Sequence, residues 1–81
     1  MAIWDPVILG VRVDDLRAEL GKRLQTAREA GVPAAKTATL AVEGGKEVNV
    51  TIHGLSDNDA KALWDNHLVA GVAALGGKVK A

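Results

Sequence analysis

The sequence predicts an α+β fold: a single small domain of β-α-β-β-α order, built as a split β-α-β or ferredoxin-like sheet with two helices on one face. Three observations predict it. The segment "VILGVRV" alternates like a strand, "DLRAELGKRLQTAREAG" repeats its leucines at helical spacing, and "TATLAVEGGKEVNVTIH" alternates on both sides of a Gly-Gly turn.

Residues 1–6 form an apolar arm that ends in an Asp5-Pro6 turn signal. In 7–13, Val7, Leu9, Val11 and Val13 share one side, and their β-branched content supports a strand. Asp14 is the expected N-cap of the first helix, with Asp15 in the first turn, where the helix dipole favours acid. Leu16, Leu20, Leu24 and Ala27 make its buried stripe, and Gly31 with Pro33 is the expected stop.

In the hairpin, a two-residue Gly44-Gly45 loop would mix apolar and polar side chains on one face. One more loop residue pairs Val42 with Val48, Leu40 with Val50 and Ala38 with Ile52, so the longer loop is expected. Ser56 then caps a second helix, with Asp59 completing a capping-box-like pair, and Gly76-Gly77 ends it near Leu75. Residues 78–81, "KVKA", form a short terminal strand or tail, and the whole of 1–81 reads as one domain.

The composition restricts function more than it assigns it. The 81 residues contain no Phe, Tyr or Cys, and Trp4 and Trp64 are the only large rings. Such a core is thin, and with no disulfides to help it, self-association is the natural support. Ten basic and ten acidic residues cancel, so no broad field steers the chain to nucleic acid or to an anionic membrane. The longest uncharged run is too short and glycine-broken to span a bilayer, and no secretory signal is recognised, so the cytoplasm is the expected location.

Catalytic chemistry finds little support. The one serine, Ser56, is committed to a helix start, and the carboxylates of Asp14-Asp15 and Asp57/Asp59 sit where helix capping explains them. "AGVPAAKT" lacks the glycine before Lys36 that a phosphate loop needs. His53, Asp57, Asp59 and His67 are metal-ligand types without a ligand spacing. No enzyme activity, cofactor or metal site is therefore expected.

Helical spacing from Ala60 places Leu63, Trp64, His67, Gly71, Ala74 and Leu75 on one face. His67 is then a core or interface imidazole, and Asp65, two residues away, points elsewhere. On the opposite side, Val69, Val72 and Ala73 replace the polar face of the first half. A helix apolar all round needs cover on both sides. The expected function is accordingly a small non-enzymatic interaction or oligomerisation module, a binding or adaptor protein. It would contact a second copy or another protein through Val69, Val72, Ala73 and Trp4. The alternative is a weak nucleic-acid-binding regulator using Arg17, Lys22 and Arg28 on the first helix. A third reading, a small-ligand or metal site near His53 and His67, has the least sequence support.

Overall fold

A computed structural model describes residues 6–80. It is a small α+β structure with one four-stranded antiparallel sheet and three helices, the third interrupted by a π-helical turn. Trp4, named above as an interface residue, lies outside the described residues.

Strand β1 spans Val7–Leu9, helix α1 Val13–Glu29, and a short helix α2 Pro33–Thr37. The hairpin strands are β2 (Thr39–Gly44) and β3 (Glu47–His53). The last helix begins as α3 (Asp57–Leu63), passes through the π turn Trp64–Leu68, and continues as α4 (Val69–Ala74). Strand β4 is Lys78–Val79. The sheet order is β2-β3-β1-β4. Because β1 and β2 are each antiparallel to β3, they run parallel to one another with β3 between them.

The first strand is shorter than the alternation in 7–13 predicts. Gly10 adopts φ +79°, which turns the chain out of the sheet, and Val11 and Val13 pack at the margin of the core instead. The helix then starts at Val13 with Arg12 as N-cap, so Asp14 is not the cap. Asp14 and Asp15 occupy the first turn, and Asp14 Oδ1 accepts from Arg17 Nη1 at 3.1 Å.

Gly31 ends α1 with φ +83°, and the N–H groups of Gly31 and Val32 donate to the carbonyls of Arg28 and Ala27. This paired closure satisfies two carbonyls that would otherwise lack partners. The same closure ends α4, where Gly76 and Gly77 donate to Ala73 and Val72. Pro33, expected only to follow a helix stop, also opens α2 at its first position, where its missing N–H costs nothing. At the start of α3, Ser56 Oγ accepts from the Asp59 N–H at 3.2 Å.

The hairpin keeps the expected faces but not the expected partners. Val42 stands opposite Val50, Leu40 opposite Ile52 and Gly44 opposite Val48, two residues away from the pairing that parity suggested. A slip of two returns every side chain to the same face, so the apolar pattern defines the register only up to that step. The turn makes the final choice: Gly44 sits at φ +131°, and a Cβ there would collide with the carbonyl oxygen of Glu47. Gly44→Ala should therefore cost about 2–4 kcal/mol, measured by chemical denaturation.

The observed register also places Val48 opposite Ile8 on β1. Ile8, Val42, Val48, Val50 and Ile52 form the inner face of the sheet, and Leu16, Leu20 and Leu24 of α1 meet them in one core. Leu63, Trp64, Leu68 and Val72 of the last helix complete that core.

The π turn overturns the expected helix face. In a straight α-helix Val72, nine positions after Leu63, lies about 180° away from it. Through the π turn the Val69 N–H reaches back to the Trp64 carbonyl, one residue further than in an α-helix, which moves everything beyond it by one position. Leu68 and Val72 then take the inward places that regular spacing gives to His67 and Gly71. Val72 is 2% exposed and Val69 is half-buried against the core, while Ala70, Ala73 and Ala74 face outward. The chain covers Val72 by itself, and no neighbour is needed to shield it. Of the four expected interface residues, Ala73 is the one the described surface exposes.

Candidate functional site

Where α1 passes the π turn, the two elements border a groove of about 370 Å³. Helix α1 contributes Glu19, Lys22, Arg23 and Thr26, and the π turn contributes Asn66 and His67. Small residues, Ala27, Ala30 and Ala70, complete the lining and keep it open.

The spacing of α1 explains its share of the groove. Leu16, Leu20, Leu24 and Ala27 face the core, and Glu19, Lys22, Arg23 and Thr26 follow on the adjacent side. Arg23 Nε donates to Glu19 Oε2 at 2.7 Å, and the pair is partly buried, with 32% and 21% of the two side chains exposed. Gly71 allows this pair to lie close to α4. A Cβ at Gly71 would come within 3.0 Å of Arg23 Cδ and Nε and 3.1 Å of Glu19 Cγ. A glycine inside a helix loses stability relative to alanine, and here the gain is close approach of the ion pair.

The other polar groups of the groove are uncommitted. Among the described residues, no hydrogen bond or ion pair engages the side chains of Lys22, Asn66 or His67, and the Nη atoms of Arg23 have no partner. Thr26 is different, since its hydroxyl donates to the Lys22 carbonyl at 3.1 Å.

His67 is therefore misplaced by the sequence reading. It is half-buried and lines an open groove that also holds Glu19, rather than sitting at the centre of a buried face. Asn66 and His67 also border a smaller hollow of about 110 Å³ on their other side, with Val32, Ala34 and Asp59. His53 stays apart, exposed at the end of β3 on the sheet face away from the helices. No group of three or more metal-ligating side chains occurs among the described residues.

The residues of the nucleic-acid alternative separate. Arg17 Nη2 donates to the Val42 carbonyl at 2.7 Å. Val50 donates its N–H to Pro6 on the β1 side, so its partner Val42 presents its backbone groups to the outer edge of β2. Arg17 thus occupies an edge carbonyl, which hinders pairing with another strand. Arg28 donates from Nε to Ala35 O at 2.7 Å and from Nη2 to Ala38 O at 2.9 Å, tying α2 and the entrance of β2 to α1. Arg28→Ala should lower stability by about 2 kcal/mol in chemical denaturation, because two charge-assisted bonds to carbonyls vanish together. Of the three, Lys22 lines the groove, and among the described residues no hydrogen bond or ion pair engages its side chain.

No family model, curated protein or solved structure matches this chain. Among the described residues, no helix is long and apolar enough to cross a membrane.

Sequence reasoning offered Lys22 only as a nucleic-acid contact and did not group it with Arg23, Glu19 and Asn66 in one groove. Glu19 and Arg23 read as a surface pair at helical spacing, and nothing in the sequence says that a π turn lies against them.

Proposed function

We propose that this protein is a non-enzymatic binding module, an adaptor that docks another protein in the groove between α1 and the π turn. The observation that carries the reading is the set of donors there that are uncommitted among the described residues: Lys22, the Arg23 Nη atoms, Asn66 and His67 line one concavity. Recognition fits this set better than catalysis. The Ser56 hydroxyl is used by a helix cap, the chain has no cysteine, and the groove carboxylate, Glu19, is held by Arg23.

The polarity of the surface favours a separate partner over a second copy. Among the described residues, Val79 at 41% is the exposed large hydrophobic. Permanent homodimers bury apolar patches, whereas transient interfaces tolerate polar ones. The finer fold assignment is ferredoxin-like: helices joining β1 to β2 and β3 to β4, together with the order β2-β3-β1-β4, support it.

A photo-crosslinking residue at Ala70, compared with one at Asn49 on the open sheet face, tests the proposal in cells of the source organism. The expected result is a discrete adduct with another protein from position 70, suppressed by Lys22→Glu and absent from position 49. Adducts of equal pattern from both positions, or only a dimer of this chain, would overturn it.

A further inference from the structure

We infer that the groove receives a single carboxylate group, held by Lys22 and the free Nη atoms of Arg23 with Asn66 and His67 as neighbours. The inference rests on the groove being the docking surface, and it names the chemistry recognised there.

Charge decides the class. Lys22, Arg23 and Glu19 together carry a net charge of +1 at the groove. Glu19 is the more buried member of its ion pair and accepts from Arg23 Nε, so it stays in place as a ligand arrives. One incoming carboxylate neutralises the remaining charge. A phosphate dianion would leave an excess negative charge beside Glu19, where partial burial weakens the screening by water.

Geometry supports the same class. Fixing Arg23 by its Nε pre-orients the outer edge of the guanidinium, whose parallel N–H groups match the two oxygens of a carboxylate. Gly71 leaves room for the pair in that position, since a side chain there would press on Arg23 Cδ and Nε. Lys22 adds a mobile charge from the same helix. A groove of about 370 Å³ accommodates a carboxylate side chain with its flanking backbone.

The carboxylate has two sources, a free small acid or an acidic side chain of a protein. NMR titration of the isotopically labelled, full-length protein distinguishes them with four probes: sodium acetate, inorganic phosphate, a short peptide with one central glutamate, and its glutamine counterpart. All are added at constant ionic strength. The expected result is saturable shifts at Lys22, Arg23, Asn66 and His67 with acetate, and tighter binding of the glutamate peptide. The glutamine peptide should bind about tenfold more weakly than the glutamate peptide, the worth of one charge-assisted contact.

Lys22→Gln should weaken the glutamate peptide by about tenfold without changing stability, since its side chain has no partner among the described residues. Acetate binding as tightly as the peptide would assign the site to a small acid and overturn the peptide source. Tighter binding of phosphate, equal binding of the two peptides, or shifts spread evenly over all cationic residues would overturn the carboxylate assignment. If the titration is flat while the crosslink from position 70 persists, the inference fails and the docking surface stands. The opposite pair of results removes the protein partner and keeps the carboxylate site.

Discussion

Val72→Asp is expected to unfold the protein, and Ala73→Asp, one residue further along the same helix, is expected to leave it folded. Val72 is 2% exposed and belongs to the core that unites the sheet with both long helices. An unpaired carboxylate at that site costs several kcal/mol, a large share of the roughly 4–12 kcal/mol that a domain of 81 residues commands. Val72→Ala should cost about 2 kcal/mol through lost burial and the cavity left behind. Ala73 is exposed in the last turn of α4, so Asp there should cost only about 1 kcal/mol, from lower helix propensity and an acid at the helix C-terminus. Circular dichroism and urea denaturation of the variants check the pair. Regular helical spacing puts both residues on the same outward side, so a folded, dissociated Val72→Asp protein would restore that picture and contradict this one.

Deleting Asn66 should preserve the fold and abolish the groove. Without it, Leu68 and Val72 follow Trp64 by three and seven positions, the spacing that places all three on one face of an uninterrupted α-helix. The inward residues thus need no π turn, and its loss replaces a longer, less favourable hydrogen bond with regular ones. The midpoint of chemical denaturation should stay the same or rise. His67 moves away from its present position opposite Arg23, and affinity for the glutamate peptide should fall by about tenfold or more. Asn66→Ala keeps the residue count and the turn, so it should weaken binding less. A deletion variant that unfolds would show that the fold itself requires the turn. A deletion variant that binds normally would detach the turn from recognition.

These two experiments bear on why π turns persist. Such turns interrupt an otherwise regular ladder and occur often at functional sites. In this chain the turn displaces one polar residue, His67, from the core register into a groove with Lys22, Arg23 and Asn66. The core register resumes beyond it with Leu68 and Val72. The interruption separates the demands of packing from those of the surface within one helix.

The sequence by itself determined the parts that depend on near neighbours. The leucine stripe of α1, the Ser56 cap and the glycine closures at Gly31 and Gly76 each rest on spacing or backbone chemistry within a few residues. The inner face of the hairpin was legible for the same reason, because alternation assigns Val42, Val48, Val50 and Ile52 to one side whatever their partners. The tertiary structure decided what depends on contacts between distant segments. The hairpin register was one such choice, made by the Gly44 turn and by Val48 meeting Ile8. The phase of the last helix was another. An apolar pattern running all round a helix is written equally by a covering partner and by a slip of one residue, and only packing against α1 and the sheet separates them. Arg17 and Arg28 look like free cations in one dimension, but their carbonyl partners lie on segments that fold back against α1, Val42 in β2 and Ala35 and Ala38 at α2. Periodicity records which side chains avoid water; it does not record what meets them.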